Sequence, residues 1–126
     1  AKAVDSEGVT VLTVLLGRLK EDSDNHVRAF AAEVLGTLGV EAIGSEGVAS
    51  LRKAAAEDRE ESVRSKAVDV LANFGAEAIG VEGVGTLRQV TEKDGSRRVR
   101  QVAVRALGSL GAKAVDSEGV TVLTVL

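Results

Sequence analysis

The chain has 126 residues and a net charge of −3, with no Cys, Trp, Tyr, Met or Pro and two aromatics, Phe30 and Phe74. Without Cys there is no disulfide, no thiolate nucleophile and no thiolate metal site. With a single His and no Tyr, the acid–base repertoire for catalysis is thin as well. The acidic balance argues against a nucleic-acid partner, and no apolar run is long enough to cross a membrane.

The chain opens with AKAVDSEGVTVLTVL over residues 1–15, and relatives of its first twelve residues recur at 40–51, 76–87 and 112–123. Each piece reads as a short helical turn, a break at Asp5, Gly44, Gly80 or Asp116, and then a helix. Ser6, Ser45 and Ser117 stand where a helix N-cap is favoured, and Val81 breaks that pattern. Helices are expected over about 6–20, 45–57 and 81–93, with Val9, Val48, Val84 and Val120, and Leu12, Leu51, Leu87 and Leu123, facing the core. A last helix is expected over 117–126. The first unit is three residues longer than the others because Thr10-Val11-Leu12 is followed by Thr13-Val14-Leu15.

A second frame follows each of these pieces. Residues 22–39, 58–75 and 94–111 share Asp, four residues, Val-Arg, two residues, Ala, three residues, Leu, three residues and Gly. From Val27 the apolar positions are Val27, Ala31, Val34, Leu35 and Leu38, the stripe of an amphipathic helix. The same offsets give Val63, Ala67, Val70, Leu71 and Phe74, then Val99, Ala103, Ala106, Leu107 and Leu110. Gly39, Gly75 and Gly111 follow the stripes, where helices end. Partner helices are therefore expected over about 24–38, 60–74 and 96–110.

The units are 1–39, 40–75, 76–111 and a half unit 112–126, with net charges of −2, −2, +2 and −1. Residues 1–15 and 112–126 are identical at all fifteen positions, while the intervening copies differ from them. A recent duplication, a deliberate copy, or a window on an array with a long period would each leave that identity. The first residue is Ala, as expected of a processed product, a fragment or an excerpt, and nothing resembles a signal peptide, so the compartment stays open. Units of this kind bury their apolar faces only against their neighbours, so the whole chain is expected to form one repeat domain.

The frame resembles the second helix of a HEAT repeat, in which an Asp ending the inter-helix turn lies six residues before an Arg. That spacing is met by Asp22 with Arg28, Asp58 with Arg64, and Asp94 with Arg100. The resemblance covers nearly the whole chain, although the Pro common in the family's first helix is missing. It implies an all-α fold, a right-handed α-solenoid of three helix pairs plus one extra first helix. It also implies a structural ladder of Asp–Arg pairs, which as part-exposed pairs would align the stack more than stabilise it. The family includes bilin lyases with short repeats, but no residue here supports that chemistry.

In solenoids of this resemblance the second helices line the concave face. Offsets 2, 6 and 10 from the Val make a polar strip opposite the core, and offset 3 also varies. The residues expected to contact a protein partner are Phe30, Glu33, Thr37, Lys66, Asp69, Asn73, Gln101, Arg105 and Ser109. The alternative is a structural unit that propagates head to tail. Val120, Leu123 and Leu126 would then associate with another copy, 112–126 taking the place of 1–15. Asp22, Asp24 and Asn25 beside His26 fall short of a metal donor set and read as a solvated helix start. The cluster Arg97, Arg98, Arg100 and Arg105 lacks the breadth and the stacking aromatics of a nucleic-acid face. Gly80, Gly83 and Gly85 match no phosphate loop, and neither Asn25 nor Asn73 opens a glycosylation motif. No enzyme activity, cofactor, small-molecule substrate or membrane contact is expected.

Overall fold

The structure, a computed structural model, describes residues 6–118, with side chains described from 11 to 112. Six helices follow one another: α1 (Ser6–Glu21), α2 (Asn25–Leu38), α3 (Val40–Glu57), α4 (Glu61–Phe74), α5 (Ala76–Lys93) and α6 (Arg97–Glu118). There is no strand among the described residues, and the fold is an all-α helical solenoid. Helix α1 packs on α2, α3 on α4 and α5 on α6, while α2, α4 and α6 pack in a row. That row is in closer mutual contact than the row of α1, α3 and α5.

The turn before each second helix is tied down by its Asp. The Asp22, Asp58 and Asp94 carboxylates accept the backbone N–H of Asp24, Glu60 and Ser96 at 2.9, 2.9 and 2.8 Å. Asp24 then caps α2 by accepting the His26 N–H at 2.7 Å, and the Ser96 hydroxyl accepts the Val99 N–H at the start of α6. The expected break in the first helices is present as a kink within α3 and α5. Gly44 (φ 68°, ψ −174°) and Gly80 (φ 73°, ψ −178°) occupy a region essentially closed to residues with a Cβ. Ahead of each kink one residue, Ile43 or Ile79, is driven into the core.

Three sequence expectations are corrected here. The first concerns α6, which continues through Gly111 to Glu118, so the break expected at Asp116 is not made. Asp116 holds the register of Gly44 and Gly80, and an L side chain disfavours the backbone those glycines adopt. Of the helix expected over 117–126, residues 119–126, with Val120, Leu123 and Leu126, lie outside the described residues. The second concerns Val27 and Leu38, expected in the core but 40% and 45% exposed. Val63 and Val99 are buried between two repeats, and among the described residues Val27 has no repeat ahead of it. The third is Ser65, expected in the exposed strip. It is half-buried, and its hydroxyl has no hydrogen-bond partner.

The core is otherwise the aliphatic stripe. Leu35, Leu51, Leu71 and Leu87 are fully buried, as are Ala32, Ala55, Ala67 and Ala103. The small alanines let neighbouring helices approach closely.

Candidate functional site

Two sets of polar residues emerge from the row of second helices. The first joins the repeats. Arg28 projects from the first turn of α2 and donates through Nε and Nη2 to the two oxygens of Asp58, at 2.9 and 3.1 Å. Its Nη1 donates to the backbone carbonyl of Asp22 at 2.8 Å. Arg64 repeats this with Asp94 at 2.8 and 3.1 Å and with the Asp58 carbonyl. The six-residue spacing therefore marks a contact to a carbonyl, and the carboxylate pair crosses to the next repeat, 30 residues on.

Arg28 is buried and the other rung residues are part-buried: Arg28 and Asp58 side chains are 1% and 7% exposed, Arg64 and Asp94 16% and 4%. Hydrogen bonding to Asp58 raises the Arg28 pKa above its ordinary value against the opposing effect of burial. In the interior each Asp thus holds the turn that follows it and the arginine of the repeat before it. The bidentate fork fixes one repeat's rotation on the next.

The ends of the ladder differ. Asp22 receives Arg18 from its own repeat at 2.9 Å. Arg18 stands where the later repeats have the buried Ala54 and Val90, and among the described residues it is the arginine that pairs with the Asp22 carboxylate. The backbone N–H of Asp24, then Arg18, hold the Asp22 carboxyl below its ordinary pKa. At the other end Arg100 donates to the Asp94 carbonyl.

The second set is the varied strip. Glu33, Thr37, Asn73, Gln101, Arg105 and Ser109 are exposed, Lys66 and Asp69 are half-buried, and Phe30 is 63% exposed. Their charges pair along the stack: Lys66 Nζ lies 3.6 Å from Glu33, and Arg105 lies 3.8 Å from Asp69. Between α2 and α4 the strip holds a depression of about 370 Å³, with Gly36, Val70, Phe74, Glu33, Lys66 and Asp69 among its lining residues. A second groove of about 400 Å³ lies between the end of α1 and α3, beside Leu19, Lys53 and Glu57. His26 is 92% exposed beside Asp24, at the solvated start of α2.

A family model described as HEAT repeats matches residues 5–72 and 48–124. No curated protein and no solved structure matches the chain. The match takes in both frames of every described repeat and the turns that carry the Asp–Arg rungs, and the chain belongs to the HEAT-repeat family.

Proposed function

We propose that the chain is a non-enzymatic scaffold that binds a protein partner through the face formed by α2, α4 and α6, the concave face of a right-handed solenoid. HEAT repeats commonly serve as helical scaffolds for protein interaction. The observation that carries the reading is the depression between α2 and α4, whose lining joins Val70 and Phe74 to the charged Glu33, Lys66 and Asp69. Protein interfaces likewise combine apolar and polar groups. The closer packing of second helices than of first helices supports placing this strip on the inside of the curve.

The pairing of Glu33 with Lys66 and of Asp69 with Arg105 leaves the strip with no excess of either sign. A polyanion is drawn by a basic surface, which this strip does not offer. Changing Phe30, Glu33, Asp69 and Arg105 together to Ala should preserve the helical circular-dichroism signal and remove the proteins that co-purify with the chain from its native source. Identical sets of co-purifying proteins with and without the four changes would refute the reading.

A second reading is favoured by one sequence observation, the fifteen-residue identity of 1–15 and 112–126. In it the chain is a structural unit that propagates head to tail, the terminal copy of one chain replacing residues 1–15 of the next. This exchange requires the chain to turn at Gly111 as it does at Gly39 and Gly75, and α6 would have to break there.

A further inference from the structure

The junction between α2 and α4 supplies a template. On α2, Arg28 reaches Asp58, and Glu33 faces Lys66. A Cβ at Gly36 would lie 3.0 Å from a Val70 methyl and 3.6 Å from its Cβ, so this glycine sets how closely the two helices approach. The last described repeat carries the first half of that template in the same register, as Arg100, Arg105 and Gly108 on α6. The first repeat carries the second half, as Asp22, Phe30 and Val34.

Both halves are open. Val104, in the register of the fully buried Val68, is 55% exposed, and space for a Cβ at Gly108 meets no atom within 4 Å. Val27 and Leu38 are exposed on α2 where Val63 and Leu110 are buried. Because α6 runs on to Glu118 instead of turning back at Gly111, the chain up to that residue does not begin another repeat beside α6. The unit with α6 carries net +2 and the unit with α2 carries −2.

We infer that a second copy of this chain docks head to tail with its α2 on α6, reproducing the α2–α4 junction between two molecules. Asp22 of one copy meets Arg100 of the other. Its carboxylate holds one backbone N–H and the half-exposed Arg18, which leaves acceptor capacity for a further arginine. Val34 enters the space beside Gly108 as Val70 does beside Gly36. Phe30, in the register of Lys66, comes over the Arg105 guanidinium, a cation–π arrangement. The contact is heterologous and does not close, so it builds open chains. It deepens the head-to-tail reading above by naming the docking surfaces, but it does not require 112–126 to displace 1–15.

The absence of Cys makes the geometry testable by linkage. The template places the Cβ atoms of positions 34 and 108 about 3.6 Å apart, within the roughly 3.5–4.5 Å of a disulfide. Full chains carrying Val34→Cys and Gly108→Cys, mixed and mildly oxidised, should give a covalent dimer joining position 34 of one to position 108 of the other. Only 34–34 and 108–108 links would overturn the inference. As a second measurement, Gly108→Leu adds a side chain into open space within a helix, so folding is retained while docking is blocked. Light scattering should show the mass of the unmodified chain rising with concentration and that of Gly108→Leu constant. Equal association of the two overturns the proposal.

Leu123→Asp, introduced into both cysteine chains, separates this docking from terminal-segment exchange. A retained 34–108 link supports direct docking. Loss of the link leaves exchange standing and refutes docking of α2 on α6. A single unchanging mass for the unmodified chain across a hundredfold concentration range defeats both.

Discussion

Val63 in the middle repeat is fully buried, while Val27, its counterpart in the first, is 40% exposed. The polar residues differ in the same sense. Arg28 and Asp58 are 1% and 7% exposed, whereas Arg18 and Asp22 are 52% and 16% exposed. One sequence frame thus yields different environments according to what lies on either side of it. In a stack, burial belongs to the junction between repeats more than to the repeat itself. The interior rung is a desolvated bidentate pair, and the end rung is a solvated pair on one helix and its turn.

The comparison is sharpest if both rungs are cut. Asp58→Ala strands the buried Arg28 and frees the Glu60 N–H, and should cost about 3–5 kcal/mol, as removal of one partner from a buried pair does. Asp22→Ala removes the same chemical group from the exposed rung and should shift the urea midpoint far less. Equal losses in the two melts would show that burial does not set the strength of the ladder.

Within the middle repeat, core and strip can be set against each other. Leu71 is fully buried with repeats on both sides, and Leu71→Ala should cost about 2–4 kcal/mol by leaving a cavity. Ser65, six residues earlier on the same helix, buries a hydroxyl without a partner. Ser65→Ala should leave stability unchanged or raise it slightly, because it removes an unsatisfied polar atom. Matching urea midpoints for the two variants would contradict the helical phase of α4.

The smallest effect concerns pH. Asp22 and Asp24 are held below the ordinary carboxylate pKa of 3.8, chiefly by the backbone N–H groups of Asp24 and His26. Their contribution to stability is therefore complete above that value and fades as pH falls through the lowered folded-state pKa. Asp22→Asn should differ from the unmodified chain at pH 7, and the difference in urea melts should shrink as pH falls below 3.8. A difference that stays constant between pH 7 and pH 2.5 would exclude the Asp22 charge as its source.

The helices were legible because two signals agree at each of them. Apolar offsets mark the buried stripe of α2 and α4, and Asp and Gly mark their ends. The expected 24–38 and 60–74 compare with Asn25–Leu38 and Glu61–Phe74. The rungs were only half legible. Asp22 and Arg28 are close in sequence and invite pairing, while Arg28 and Asp58 are brought together by the packing of α2 on α4. The same holds for the strip. Its positions follow from helical phase, but the pairing of Glu33 with Lys66 depends on how two helices lie side by side. The missing kink at position 116 turns on a distinction visible in the sequence, Asp116 in place of a glycine, whose importance emerges only from the backbone angles of Gly44 and Gly80, whereas nothing in the sequence sets Gly111 apart from Gly39 and Gly75.

The constant 30-residue reach of the rungs also bears on how such a chain changes its length. Removing residues 40–75 would bring Asp94 to the distance from Arg28 that Asp58 now holds, and would place Ala76 after Gly39 where Val40 now stands. Inserting a further 36-residue unit between the interior repeats would likewise give every new arginine an aspartate ahead of it and every new aspartate an arginine behind. Copy number can therefore change in whole units by unequal recombination without stranding a buried charge. Repeat gain and loss become mutations that the ladder tolerates better than the loss of a single carboxylate.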